Sequence, residues 1–143
     1  MGSFLLDNFN GIPVWALFAL CVASGAFLVW PEIARLMGAS NEVGTLEATR
    51  LMNQATTLVL DVRAPAEFAA GHVPKARNIP LEDLARRLDE IGKYKERPVL
   101  VTGRAGPATG SASRLLKRSG FGSVYLLKGG LVAWQQASLP VEK

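Results

Sequence analysis

The sequence predicts an α/β domain preceded by one N-terminal transmembrane helix. Three observations carry that expectation. Strand-like and helix-like periodicities alternate from residue 45 to residue 136, residues 12–30 hold no charge, and an apolar run at 98–102 leads into a glycine-bearing loop and then a helical pattern. Such alternation is the mark of strands and helices layered over one core. The 143 residues leave room for about one domain and an appendage, and with 49% of them apolar the chain can fill that core.

Residues 1–11 read as a short N-terminal segment. The charge-free stretch at 12–30 follows, and at roughly 1.5 Å per residue it matches the roughly 30 Å hydrocarbon core of a bilayer. Trp15 and Trp30 near its ends suit the two interfaces, and Pro13 suits a first helical turn, where its missing N–H costs little. A cleaved secretory signal needs a positively charged start, and no Lys or Arg occurs before residue 31. Cys21 reads as a buried membrane residue, because the bulky Leu20 before it does not suit lipoprotein processing. All 16 Lys and Arg lie after residue 30, beginning with Arg35, so the C-terminal portion is expected in the cytoplasm. Residues 31–42 read as a turn or two of helix followed by a tether, and 43–143 as the domain.

Within the domain a helix is expected over 46–53, capped by Thr45. The apolar run 57–62 suits a strand buried on both faces. A short helix at 65–70 ends at Gly71, and an extended piece follows at 76–79. Residues 81–91 carry Leu81, Leu84, Leu88 and Ile91 at helical spacing, the pattern of an amphipathic helix. A strand at 99–101, a helix at 109–119, a strand at 124–127 and a helix at 131–136 complete the series.

Composition excludes several functions. A single cysteine and a single histidine rule out disulfide frameworks and Cys/His metal clusters within one chain, so no metal or cofactor is expected. The formal charge of +4 is spread out, and the adjacent pairs Arg86-Arg87 and Lys117-Arg118 lie on helical patterns as solvated faces, so no nucleic-acid partner is expected.

The chemistry therefore rests on the loop Gly103-Arg104-Ala105-Gly106-Pro107-Ala108. A strand that feeds a tight loop and a helix N-terminus gathers backbone N–H groups into an anion cradle, a common seat for a nucleophile. Gly103 stands where a cysteine nucleophile would be expected, and Pro107 removes one N–H from the cradle. Asp61, Arg63 and His72 are candidate supports of a pocket, although Asp61 and Arg63 equally suit mutual pairing at a strand end and His72 a structural hydrogen bond.

An ordered series of landmarks gives the loop a context: Asp61-Val62-Arg63, Glu67-Phe68, Gly71-His72-Val73-Pro74, Ala76-Arg77-Asn78-Ile79-Pro80, Gly120-Phe121, Gly129-Gly130 and Trp134. From about residue 43 to residue 141 the chain resembles the rhodanese-like domains, which carry sulfane sulfur on a cysteine persulfide. The resemblance implies a parallel sheet flanked by helices, with the active loop between a strand and the next helix. In active members a cysteine opens this loop and an arginine often lies five residues on. Those positions fall on Gly103 and Ala108, so neither side chain is present. With its anchor, the chain resembles the single-pass, membrane-anchored rhodanese-like proteins of Gram-negative bacteria, which implies the inner membrane. The expectation is a catalytically inactive module that binds a protein partner or an anion. The alternative is a sulfurtransferase-related component that uses a thiol supplied by its partner.

Overall fold

The computed structural model describes residues 8–9, 12–36 and 41–143. In chain order, β1 (Asn8–Phe9) and β2 (Ile12–Pro13) form an antiparallel pair, and α1 (Val14–Leu36) follows. The domain then runs β3 (Asn41–Val43), α2 (Thr45–Met52), β4 (Leu58–Asp61), α3 (Pro65–Ala70), β5 (Arg77–Asn78) and α4 (Leu81–Leu84). A 3-10 helix (Leu88–Tyr94), β6 (Pro98–Thr102), α5 (Pro107–Arg118), β7 (Ser123–Leu127) and α6 (Gly130–Gln136) complete it. Strands β3 to β7 make a five-stranded sheet in the order β3-β7-β6-β4-β5, with every neighbouring pair parallel. This is the α/β architecture expected, a parallel sheet flanked by helices.

The sheet is buried on both faces because successive side chains of a strand point to opposite sides. Val99 and Val101 of β6 join Leu60, Leu116 and Phe121 in one core, while Leu100 between them joins Val59, Ala48 and Trp134 in the other. Register locks this in: Leu60 lies opposite Val101, and Val101 opposite Leu126. All the residues of both cores lie between Val43 and Leu139, within the unit Ser40–Lys143, so this part has what it needs to fold alone.

Several elements differ from expectation. The helix expected over 81–91 breaks into α4 and a 3-10 helix. At three residues per turn, Leu88, Ile91 and Tyr94 stack on one side and all reach the first core. Thr45 is the first residue of α2 rather than its cap; Gly44 holds that place, and its carbonyl accepts the Ala48 N–H at 2.9 Å. The last residues of the expected tether enter the sheet, since Asn41 lies opposite Tyr125 of β7. Residues 37–40 of that tether, and residues 1–7 and 10–11 of the N-terminal segment, lie outside the described residues.

The N-terminal helix also departs from its expected bounds. Ile12 and Pro13 pair with β1 instead of opening the helix. The uncharged run left in α1 before Glu32 measures about 27 Å at roughly 1.5 Å per residue, short of the roughly 30 Å core. Among the described residues no helix is long and apolar enough to cross a membrane.

Leu100 is fully buried at the centre of the sheet. Leu100→Ala is expected to destabilise the domain by about 3 kcal/mol, read as a lower urea midpoint with an unchanged slope; a loss below about 1 kcal/mol would contradict this packing.

Candidate functional site

Strand β6 delivers the chain to Gly103 at the carboxyl edge of the sheet, where two backbone bonds hold it. The Thr102 carbonyl accepts the Val62 N–H at 3.1 Å, and the Gly103 carbonyl accepts the Leu131 N–H at 3.2 Å. The second contact needs a glycine at 130: a Cβ there would lie 2.1 Å from the Gly103 oxygen, and Gly130 has φ 59°. The first turn of α6 is thus packed directly against the loop.

The loop is shorter than the sequence implied. Gly106, at φ 122°, occupies the N-cap of α5, and Pro107 and Ala108 already belong to the helix, where proline suits the first turn. The Thr109 hydroxyl donates to the Gly106 carbonyl at 2.9 Å and closes the turn. The loop proper is 103–106.

No left-handed φ requires glycine at 103. Packing does the restricting: a Cβ on Gly103 would lie 2.9 Å from Thr109 Cγ2 and 3.3 Å from Val62 Cγ2. The Thr109 methyl is held there by the bond its hydroxyl makes to Gly106. The space just beyond the Gly103 Cα is therefore already lined by two methyl groups.

Two clefts flank the loop. Val62, Arg63, Ala64, Glu67, Arg104 and Ala108 line one, of about 190 Å³. Glu42, Ala105, Gly106, Thr109, Lys128 and Gly129 are among those lining the other, of about 240 Å³. In the first cleft Arg104 Nε donates to Glu67 Oε1 at 2.6 Å, and Arg104 Nη2 also meets that oxygen. The hydrogen bond from Arg104 holds the Glu67 carboxyl below its ordinary value. Partial desolvation opposes the shift, while the Ala64 N–H and the charges of Arg104 and Arg63 add to it. The Arg104 side chain is 76% exposed. A guanidinium thus stands at the mouth of the cleft, although the helix position Ala108 carries none.

The three expected pocket supports divide. Arg63 lines the cleft, but its guanidinium is committed: Nε lies 3.0 Å from both Asp61 oxygens, and Nη2 donates to Asp61 Oδ2 and to the Gly71 carbonyl, each at 2.7 Å. Asp61 is buried and also accepts the Arg63 N–H, so this pair stitches the end of β4 to the Gly71 turn. His72 stands apart from the cleft. Its Nδ1 donates to the Phe68 carbonyl at 2.9 Å, its ring stacks on Phe68, and its backbone bridges Glu142 in both directions. It anchors the C-terminal segment.

Sequence reasoning did not single out Glu67, although it quoted the residue as a landmark, nor the role of Thr109 as a wall beside Gly103. Spacing gave no signal for either, since Arg104 and Glu67 lie 37 residues apart. The hydroxyls nearest the loop offer no replacement nucleophile: Thr109 is bonded to Gly106, and Thr102 Oγ1 is fully buried and makes no hydrogen bond. What the arrangement retains is a charged, backbone-lined cleft at a helix N-terminus, suited to holding an anionic group.

Two outcomes follow. Gly103→Ala is expected to lose about 1 kcal/mol from crowding against Thr109. Thr109→Ser, which deletes the methyl and keeps the hydroxyl, should recover most of that loss in a double-mutant cycle; strictly additive effects would show that the wall does not exist. Because the folded carboxyl titrates below its unfolded value, the contribution of Glu67 is present above the unfolded value and fades as pH falls through the folded one. Its side-chain NMR titration should therefore have a depressed midpoint that Arg104→Ala raises; an unmoved midpoint would exclude the pair in solution.

Comparison with known proteins agrees with this geometry. Residues 45–137 match the model of the rhodanese-like domain. Uncharacterized protein YibN of Escherichia coli (strain K12) is 34% identical over 96 residues, covering 66% of this chain and 67% of that protein. A protein of Allochromatium vinosum named sulfurtransferase is 36% identical over 92 residues, covering 64% of this chain and 84% of its own. The solved structure of the Alr3790 protein from Anabaena sp. superposes with a TM-score of 0.62 at 31% identity, over 70% of this chain and 79% of that one. The chain belongs to the rhodanese-like domain family and is related to sulfurtransferases.

Proposed function

We propose that this chain is a membrane-tethered rhodanese-like module that binds a partner protein or an anion through its loop and does not itself transfer sulfur. One observation carries the reading: position 103 has no side chain, and methyl groups of Thr109 and Val62 line the space where one would start. Persulfide transfer needs a thiolate that attacks and then leaves, and glycine supplies no atom for either step. Removing a covalent nucleophile costs on the order of 10⁶ in turnover in a protease where it was measured. The one thiol of the sequence, that of Cys21, lies on α1 and not in the domain. Arg104 is an exposed cation of the loop itself, and Lys128 is another beside it. A carboxylate or oxyanion brought by a partner would compete with Glu67 for Arg104.

The tether rests on the 12–30 run and on the exposure of its helix. Trp15, Phe18, Leu20, Phe27 and Trp30 of α1 are each at least 68% exposed. A helix apolar on every side calls for a cover, and lipid provides one. A span about 3 Å short of the hydrocarbon core is accommodated by local thinning, at fractions of a kcal/mol per Å. The charge asymmetry favours an inner-membrane orientation with the domain in the cytoplasm. The relative named sulfurtransferase favours a second reading, in which the loop serves sulfur transfer with a thiol supplied by a partner.

The purified chain should form no thiocyanate from thiosulfate and cyanide beyond a cysteine-free control. Activity well above that control would refute the inactive reading, and activity appearing only on addition of a thiol-bearing partner would establish the second. The chain should resist alkaline extraction from membranes and lose that resistance when 12–30 is deleted; release of the intact chain would remove the tether.

A further inference from the structure

We propose that the end of the sheet opposite the loop is a docking surface for an anionic lipid bilayer. Because the paired strands are parallel, their carboxyl ends share one edge, with Gly103, and their amino ends share the other. At that second edge, residues 93–97 lead into β6 and residues 118–122 lead into β7. Lys95 joins the two segments. Its carbonyl accepts the Gly122 N–H at 3.0 Å, and its Cδ lies 3.9 Å from the position of a Cβ on Gly120.

The surface so formed is basic. Lys93, Lys95, Arg97 and Arg118 are all exposed, and none is in an ion pair with a described residue; Glu96 is the carboxylate among them. At the loop edge Arg63 is paired with Asp61 and Arg104 with Glu67, while Lys128 is exposed and in no ion pair with a described residue. Lys93 Nζ and Arg97 Cζ stand 5.2 Å and 5.7 Å from the Tyr94 ring centroid, so a half-buried, amphipathic ring has two cations close to it. That combination suits the headgroup level of a membrane.

The course of the chain favours lipid over nucleic acid. The charge-free run 12–30 ends only ten residues before Asn41 in sequence, so a tethered domain is held beside a bilayer. The choice of partner thus rests on the tether reading, whereas the surface belongs to the domain alone. Docked in this way, the domain presents its loop away from the lipid, across the roughly 17 Å length of β6.

The test uses the tether-free domain, residues 40–143, with vesicles of phosphatidylcholine containing or lacking one-third phosphatidylglycerol. Binding to the anionic vesicles at low salt, lost at high salt, is expected. Each cation near such a surface strengthens partitioning about fivefold, so Lys93→Glu with Lys95→Glu should weaken it roughly 25-fold or more. Arg86→Glu with Lys128→Glu, of equal net charge but outside the patch, should weaken it far less. Circular dichroism identifies any variant that unfolds, and Arg97→Gln with Arg118→Gln then replaces it. Equal binding to neutral vesicles, equal weakening by the control pair, or capture of duplex DNA without capture of vesicles would overturn the proposal. Extraction of the full chain reports separately on the tether.

Discussion

Main chain meets main chain where Gly103 approaches Gly130, and the geometry of the loop depends on that contact. The Leu131 N–H reaches the Gly103 carbonyl only because position 130 has no Cβ, and one residue earlier the Val62 N–H holds the Thr102 carbonyl. These bonds tie the end of β6 to α6 and to β4 without using any side chain of the loop. The scaffold of the loop therefore does not depend on a side chain at 103.

Two guanidinium–carboxylate pairs near the loop have different physical weight. Asp61 and the Arg63 side chain are 2% and 9% exposed, and breaking a buried pair by removing one partner costs about 3–5 kcal/mol. That pair also holds the Gly71 carbonyl, so it belongs to the frame. Arg104 and Glu67 are 76% and 30% exposed, a setting in which ion pairs are worth about 0–1 kcal/mol. Such a pair can exchange partners at little cost, whereas the Arg63 guanidinium is fixed in the frame.

Legibility in the sequence followed the range of the interactions. The strands at 58–61, 98–102 and 123–127 were readable because short apolar runs between turn signals reflect local chain preferences and burial on two faces. The break between α4 and the 3-10 helix was not, since Leu81, Leu84, Leu88 and Ile91 suit one helix equally well until the core selects the tighter turn for Leu88, Ile91 and Tyr94. The role of His72 was left open in the sequence because one of its partners, Glu142, belongs to a segment returning from 70 residues away, although the other, Phe68, is local.

By itself the sequence determined the α/β class, the position of the loop, the missing side chain at 103 and the charge-free run at 12–30, because each is a property of residue identity and short-range order. Only the tertiary structure decided that Thr109 and Val62 line the space beside Gly103, that Glu67 neutralises Arg104, and that unpaired cations collect at the amino edge of the sheet. Those outcomes depend on distances of a few ångströms between residues far apart in the chain, which strand register and helix packing set and residue order does not.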